Sequence, residues 1–340
     1  MKKLLAIITI LMSVYSNAQS NAGEYMDRFS EDYQSIQESM WDYTRTISHG
    51  RSARKVEKTR LELISRSDSA LKKAKSAPAF NGSTEYRDSV VSYFKILNLV
   101  LKEDYEKLVD MEEVAEQSYD AMEAYMTARE LANDKQTAAA KMISEQQKKF
   151  AEANNINLIE SSDALDQKMI VADNVYTHYN AVYLIFFKSY KQEAYLINAM
   201  SANDLSGIEQ NKEALIATVE EGREKLKAVE LYENDATMVE STKNLFDFYD
   251  KETEGVKNLQ DLLLKKEKFE KVKTALESKK EKDRTKEDID QYNEAVNEMN
   301  AAIGVYNDWN NKMNEERGKW IDAWNKAGDR FTDKHVPKGK

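Results

Sequence analysis

The sequence is poor in the residues that turns, loops and disulfides require. It contains no cysteine, 2 prolines and 10 glycines in 340 residues, whereas average composition would supply about 24 glycines and about 17 prolines. Hairpins and tight loops depend on glycine and proline, so a sheet-rich or loop-rich protein is excluded. The lack of cysteine excludes disulfides, thiol nucleophiles and a lipoprotein anchor on an N-terminal cysteine.

Long hydrophobic runs are missing after the first 18 residues. The most apolar later stretch, AVYLIFFKSY (181–190), is interrupted by Lys188, and a membrane-spanning helix needs about 20 apolar residues. Residues 1–18, MKKLLAIITILMSVYSNA, are typical of a cleavable signal peptide, because Lys2 and Lys3 precede an apolar run that ends in Ser16-Asn-Ala18. We therefore expect an exported, soluble chain of 322 residues that begins at Gln19 and has no transmembrane segment after cleavage.

The charge balance is acidic. The chain has 50 basic and 60 acidic residues and a net charge of −10, which argues against nucleic acid and anionic lipid as partners, since both require a basic patch. The exception is residues 265–288, with 10 basic and 7 acidic side chains. Mixed signs at this spacing favour a solvated helix surface with i,i+4 ion pairs over a binding site.

What the chain does contain predicts an all-α protein. Aromatic residues are plentiful, with 18 Tyr, 10 Phe and 4 Trp, so the chain has enough apolar surface to form a packed core rather than remain disordered. Apolar side chains recur at helical spacing, as at Tyr176, Tyr179, Tyr183 and Phe187. Short connections between long helices favour antiparallel neighbours and therefore four-helix units.

An internal duplication organises these helices. Residues 55–65 match 207–217, and residues 89–97 match 241–249 at the same offset of 152; the two later pairs of matching blocks are 120–128 with 287–295 and 148–156 with 318–326. The four blocks occur in one order, which predicts two tandem, duplicated antiparallel four-helix units with about eight helices. The predicted divisions are a signal peptide (1–18), a first half (19–160), a second half (161–330) and a basic tail (331–340).

Capping residues and glycines predict where the helices end. In the first half we expect helices at 24–48 and 53–75, a third helix capped by Ser83, a break at 112–118 and a fourth helix that ends near Asn154. In the second half we expect helices at 162–200 and from a cap at Asn203 or Asp204 to 231, a third from Asp235, and a last helix that starts at a Thr285–Asp288 capping box and ends at Gly328.

No catalytic or metal-binding motif is present. The three histidines, His49, His178 and His335, are scattered, and none is preceded by glutamate at the third position before it, which excludes a di-iron carboxylate bundle. We expect His49 and His335 to be solvated and His178 to be a core or boundary residue. Nucleotide-binding, zinc-protease and serine-hydrolase motifs are absent. Among 60 acidic residues the sequence cannot identify a functional carboxylate pair, so it predicts no catalytic, cofactor-binding or metal-binding residue and favours a non-enzyme.

The aromatic stripe of residues 176–190, with its neighbours Phe186 and Tyr195, has two interpretations. Aromatic side chains at helical spacing usually form core, here the core of a central helix that joins the two halves. Alternatively, their flat faces and polar tips would line a groove between the halves for an apolar or glycan ligand. Burial of Tyr176, Tyr179 and Tyr183 would remove the main support for the groove.

The export segment ending in SNAQS (16–20), the lack of cysteine, the charged helices and the duplicated halves resemble an all-helical exported surface-protein family described from Leptospira and also seen in Bacteroidetes. The resemblance implies an envelope or surface location in a Gram-negative bacterium and supplies no catalytic residues. The leading hypothesis is a non-enzymatic helical protein of the cell envelope or surface that interacts with another envelope protein. The alternative is a periplasmic protein that binds an apolar or glycan ligand in an aromatic groove.

Overall fold

The computed structural model describes residues 21–48, 53–158 and 164–338, and within these ranges the protein is all-α. The predicted fold class is therefore confirmed. The described residues contain no strand, and their β pairing is limited to an isolated bridge between Phe80 and Ser83. The helices are α1 (Asn21–Ser48), α2 (Ala53–Ser76), α3 (Glu85–Leu99), α4 (Tyr105–Ala115), α5 (Tyr119–Ala153), α6 (Ala164–Ala202), α7 (Leu205–Ala228), α8 (Thr237–Gly255), α9 (Lys257–Glu277) and α10 (Lys286–His335).

Two pairs of these helices run on with little or no interruption. A five-residue π-helical segment, Val100–Asp104, joins α3 to α4. Val256 alone separates α8 from α9, and its backbone is itself helical, with φ −54° and ψ −29°. Counted as continuous rods, the helices of the described ranges number eight, as predicted.

The chain divides into two compact units. The first comprises Met1–Asn180 and Asp329–Lys340, and the second comprises Ala181–Gly328. Helix α6 thus contributes residues 164–180 to the first unit and residues 181–202 to the second. The duplicated halves 19–160 and 161–330 are a hypothesis about ancestry, which these units do not test.

Each unit packs antiparallel helices against one another. In the second unit, α10 is antiparallel to both α6 and α8. Residue numbers along α10 decrease as the numbers of their contact partners on α6 or α8 increase. The pairs that show this are Tyr183–Trp324 and Glu193–Arg317 for α6, and Thr242–Trp324 and Lys251–Glu316 for α8. In the first unit, α1 and α2 are related in the same way by Asp32–Lys73 and Ser35–Arg66.

Most of the predicted helix ends are confirmed at atomic detail. The break predicted at 112–118 lies between α4 and α5, where the Ser118 side chain accepts from the Ala121 N–H at 3.1 Å. Asp204 caps α7, as predicted, through the Gly207 N–H at 3.1 Å. At the start of α10, Asp288 accepts from the Thr285 N–H at 2.9 Å, while the Asp288 N–H donates to Thr285 at 3.2 Å. This reciprocal pair is a capping box, with Asp in the place that Glu usually holds.

Two predicted ends were wrong. The cap predicted at Ser83 was one residue early, because the residue before α3 is Thr84, whose hydroxyl donates to Asp88. The Ser83 hydroxyl still accepts from the N–H of Glu85, the first residue of the helix, at 3.3 Å. Gly328 does not end the last helix, since α10 continues to His335 and buries Phe331 near its end, with Val336 buried directly after it. An interior glycine costs a helix only about 1 kcal/mol, which this apolar burial offsets. Residues 331–335 are therefore helix rather than tail. None of the described helices has the length and hydropathy of a membrane span.

Candidate functional sites

The aromatic stripe on α6 is used for packing. Tyr176, Tyr183, Phe186 and Phe187 are buried and Tyr179 is half-buried, whereas Tyr190 and Tyr195 are exposed. In the second unit the Phe186 ring stacks on Trp324 at 3.9 Å, and Tyr183 stacks on Phe187 at 5.5 Å. Because these buried rings pack against one another and against Trp324, the buried members of the stripe support the core interpretation and not a ligand groove.

The two described histidines, His178 and His335, do not belong to a cluster of metal-binding side chains. His178 and His335 are both buried in the first unit, where their rings lie 5.1 Å and 4.8 Å from that of Phe331. The core interpretation of His178 is therefore confirmed. The prediction that His335 is solvated was wrong, because the helix that carries it extends seven residues beyond Gly328. His49 lies outside the described residues, and those described contain no cluster of three potential metal ligands.

Two buried carboxylates form the most unusual charged group of the second unit. Glu193 on α6 and Glu252 on α8 are 1% and 0% exposed, and Arg317 on α10 lies between them. The Arg317 Nε donates to Glu193 Oε1 at 2.6 Å, while its Nη2 donates to Glu252 Oε1. The hydroxyl of the fully buried Tyr249 lies beside Glu193 and favours its ionised form. We call these four residues the buried acid cluster.

The buried acid cluster holds two acids against one base. Burial raises the pKa of both carboxyl groups, and for Glu252 the neighbouring charge of Glu193 raises it further, to about 8 despite the opposing effect of Arg317. Like charges this close disfavour double ionisation. At neutral pH one of the two acids is therefore ionised and the other, Glu252, is protonated, and both contact the guanidinium of Arg317.

This geometry describes a structural ion pair better than a catalytic one. Both Oε1 atoms are occupied by Arg317, and both acids are almost completely withdrawn from solvent. A substrate would have to displace the guanidinium before it reached either acid. Sequence reasoning missed this pair, although Glu193 gave a signal: it continues the stripe, three residues after Tyr190 and three before the buried Leu196.

An open cavity of about 230 Å³ lies in the first unit, where the loop between α2 and α3 meets the end of α5. We call it the α3–α5 cavity. Its wall is aromatic: Phe80 packs edge-on against Phe150 at 5.3 Å, and Tyr86 stacks on Phe150 at 4.7 Å. Phe80 and Phe150 are only half-buried, so parts of their faces remain available. The other lining residues are Asn81, Ser83, Glu85, Gln146, Lys149, Ala153 and Asn154.

Local sequence fixes the loop that forms one side of this cavity. Phe80 and Ser83 exchange two backbone hydrogen bonds of 2.9 Å, which close a tight turn. Asn81 and Gly82 between them have positive φ values of 48° and 82°, a conformation that asparagine and glycine adopt most readily. The Tyr25 hydroxyl donates to the Pro78 carbonyl at 2.7 Å and ties the loop to α1. The sequence marked this segment as a loop but gave no sign of a cavity.

A third feature is the helical hairpin of residues 257–306, which we call the α9–α10 hairpin. Only Leu259, Ala295 and Ala302 are buried within it. Its two helices are held by a Phe269–Tyr292 ring contact at 5.7 Å and by a Lys268–Glu298 ion pair at 2.8 Å. Its exposed large apolar side chains are Leu264, Ile289, Ile303 and Val305.

The charged stretch 265–288 lies within this hairpin. Several of its lysines pair with acids three or four residues away, including Lys271 with Glu267 and Lys273 with Glu270. At the tip, Lys279 pairs with Asp288 at 2.6 Å. The interpretation as a solvated, ion-paired helix surface therefore agrees with the structure.

No protein-family model, curated protein or solved structure matches this chain.

Proposed function

We propose that this protein is an exported, non-enzymatic protein of the cell envelope or surface, and that it acts by binding another protein through the α9–α10 hairpin. The supporting observation is the surface of that hairpin. Leu264 and Val305 are 57% and 55% exposed on neighbouring helices that bury only three side chains between them. A two-helix hairpin cannot cover both flanks of its own seam, so its remaining apolar side chains suit docking of a partner helix.

Paired substitutions test the binding surface. In the double variant Leu264→Glu with Val305→Glu, retention of the purified protein by an isolated envelope fraction should fall about tenfold, because two apolar contacts are replaced by buried charge at the interface. The matched control, Thr274→Glu with Asn300→Glu, adds the same two charges at exposed polar positions of the same helices. Equal retention of the two variants, or no retention of the unmodified protein, would contradict the proposal.

Export is tested separately. After expression with the full leader in a Gram-negative host, the mature protein should leave the inner membrane and carry Gln19 as its first residue. Replacing Ala18 by Arg should block cleavage, since signal peptidase requires a small residue at that position. An unmodified chain that keeps residues 1–18 in the inner membrane would contradict this part of the proposal.

A periplasmic ligand-binding protein is the second candidate. The half-buried rings of Phe80 and Phe150 in the α3–α5 cavity favour it, whereas the α6 stripe does not. Pockets that combine aromatic walls with a few polar groups are the usual form of a small-molecule site. The two candidates involve different residues and can be tested independently.

A further inference from the structure

The α3–α5 cavity places two opposite charges on its lining. Glu85 belongs to the first turn of α3, and Lys149 belongs to the last two turns of α5. Neither side chain forms an ion pair or a hydrogen bond with another described residue, whereas Lys73 at the end of α2 pairs with Asp32. The cavity therefore offers a cation and an anion that the fold has not used.

The rest of the lining is apolar or neutral. Phe80 and Phe150 supply half-buried rings to the lining, and the small side chain of Ala153 lies on the same lining. Tyr25 and Tyr86 pack behind these rings, with ring centroids 5.9 Å and 4.7 Å from that of Phe150, and so hold the aromatic wall in place. The amide side chains of Asn81 and Gln146 add hydrogen-bonding groups of no net charge.

The size of the cavity limits what it can hold. Its volume of about 230 Å³ corresponds to about eight water molecules at roughly 30 Å³ each. That is room for one compact molecule and is below the range of roughly 300–1,000 Å³ typical of sites for larger ligands. A compact ligand that matches both charges and the aromatic wall must carry an anion, a cation and an apolar group within a few bonds of one another.

We infer that the α3–α5 cavity binds a free α-amino acid with an apolar side chain. The ligand carboxylate lies against Lys149, its ammonium group lies against Glu85, and its side chain packs on Phe80 and Phe150. Charge-assisted hydrogen bonds at both ends fix the orientation, while the rings select for apolar character. This inference rests on the ligand-binding candidate above and is independent of the α9–α10 hairpin.

Calorimetric titration of the full mature chain tests the ligand class. Leucine and phenylalanine should bind, whereas leucinamide, which lacks the carboxylate, and N-acetyl-leucine, which lacks the ammonium group, should each bind about tenfold more weakly, as expected for loss of one charge-assisted hydrogen bond. Glucose serves as the neutral polar probe. No binding of either amino acid, or equal binding of leucine and leucinamide, would overturn the inference. Binding of glucose alone would show a saccharide site instead.

Variants locate the site and separate it from the hairpin. Lys149→Gln and Glu85→Gln should each weaken leucine binding about tenfold, with Lys149→Arg retaining it, and Ala153→Phe should abolish binding by filling the cavity. Lys141→Gln, on the exposed face of the same helix, is the control. All changes are at exposed positions, and circular dichroism checks that each variant folds. Unchanged leucine binding by Lys149→Gln and Glu85→Gln would overturn the inference. This outcome does not depend on how strongly the hairpin variants are retained by the envelope fraction.

Discussion

At the scale of single residues, the buried acid cluster ties stability to pH through one proton. Burial and the Glu193 charge raise the pKa of Glu252 from its ordinary value of 4.5 to about 8. Between these two pH values the folded protein holds a proton that the unfolded chain has released. Linkage then requires the free energy of unfolding to fall as pH rises through this window. Asp173, whose pKa burial raises to about 6, adds a slope of the same sign at lower pH.

Glu252→Gln should remove most of this pH dependence. The amide keeps the shape of the protonated acid and can still accept from Arg317, but it carries no proton to lose. We expect the variant to match the unmodified protein near pH 4.5 and to be more stable by about 2 to 4 kcal/mol at pH 8, given about 1.4 kcal/mol for each pKa unit. Urea unfolding at a series of pH values measures the difference.

The exposed Glu240→Gln is the control for this comparison. Glu240 pairs with Lys243 on the same helix, and such surface pairs contribute less than about 1 kcal/mol. The contribution of Asp173 cancels, because it is present in every protein compared. If Glu252→Gln and the unmodified protein were to lose stability in parallel up to pH 8, then Glu252 would be ionised in the fold throughout.

The buried acid cluster could be predicted only in part from the sequence. The position of Glu193 within an apolar spacing could have been noticed, because a charge in a core stripe must find a partner. Its partner could not have been named: Arg317 lies 124 positions away along the chain, and Glu252 lies 65 positions before Arg317. Thirty-two per cent of the residues are charged, so many combinations were equally good on sequence alone.

At the scale of helices, the interior glycines fall into two kinds that the sequence does not distinguish. A Cβ at Gly255 would lie 1.9 Å from Trp309 Nε1, so the absence of a side chain there lets α8 approach α10 closely. Around Gly304, also within α10, a Cβ would meet nothing within 4 Å. The first glycine is needed for packing, and the second only lowers helix propensity.

Alanine substitutions should therefore have opposite effects at these two positions. Gly255→Ala should lower the free energy of unfolding by about 1 to 3 kcal/mol, because the ring of Trp309 has to move away from the new methyl group. Gly304→Ala should raise it by about 0.5 to 1 kcal/mol through helix propensity. Thermal and urea unfolding of the pair provide the measurement. A stabilising Gly255→Ala would show that Trp309 does not occupy this contact.

Helix positions were largely predictable because their signals are local. Asp204 and the Thr285–Asp288 box act on backbone groups within a few residues, so the sequence alone identifies them. Ser118 acts in the same way, but the sequence marked it only as the end of a predicted break. The π-helical segment at Val100–Asp104 and the extension of α10 to His335 were not predicted. Both depend on burial, such as that of Val100, Leu101 and Phe331, which neighbours along the chain do not determine.

At the scale of the whole molecule, the proposed duplication predicts that matched positions in the two halves are buried to the same extent. Positions matched at an offset of 152 should have equal environments, and both Leu63 and Leu215 are fully buried, as are Phe94 and Phe246. The agreement is uneven across the blocks, since Val56 and Tyr292 are half-buried whereas their counterparts Ile208 and Tyr125 are buried. Apolar residues of any two helical units would give some such agreement, so common ancestry stays a prediction.

The uneven burial within the second unit leads to a prediction about what the fold needs. Among residues 266–297 only Ala295 is buried, so this stretch adds little apolar burial to the stability of the chain. Lys265 and Glu298 lie 3.9 Å apart, where the two helices are close enough to be joined by a short turn. Replacing residues 266–297 by a glycine-containing turn should therefore change the free energy of unfolding by no more than about 1 kcal/mol.

A matched deletion makes this prediction specific. Removing one turn of α8 around Glu252 eliminates fewer residues but takes away the fully buried Tyr249 and Glu252, so it should unfold the second unit. Circular dichroism and urea unfolding compare the two shortened chains. If loss of residues 266–297 also unfolded the protein, the tip of the hairpin would be part of the folding core.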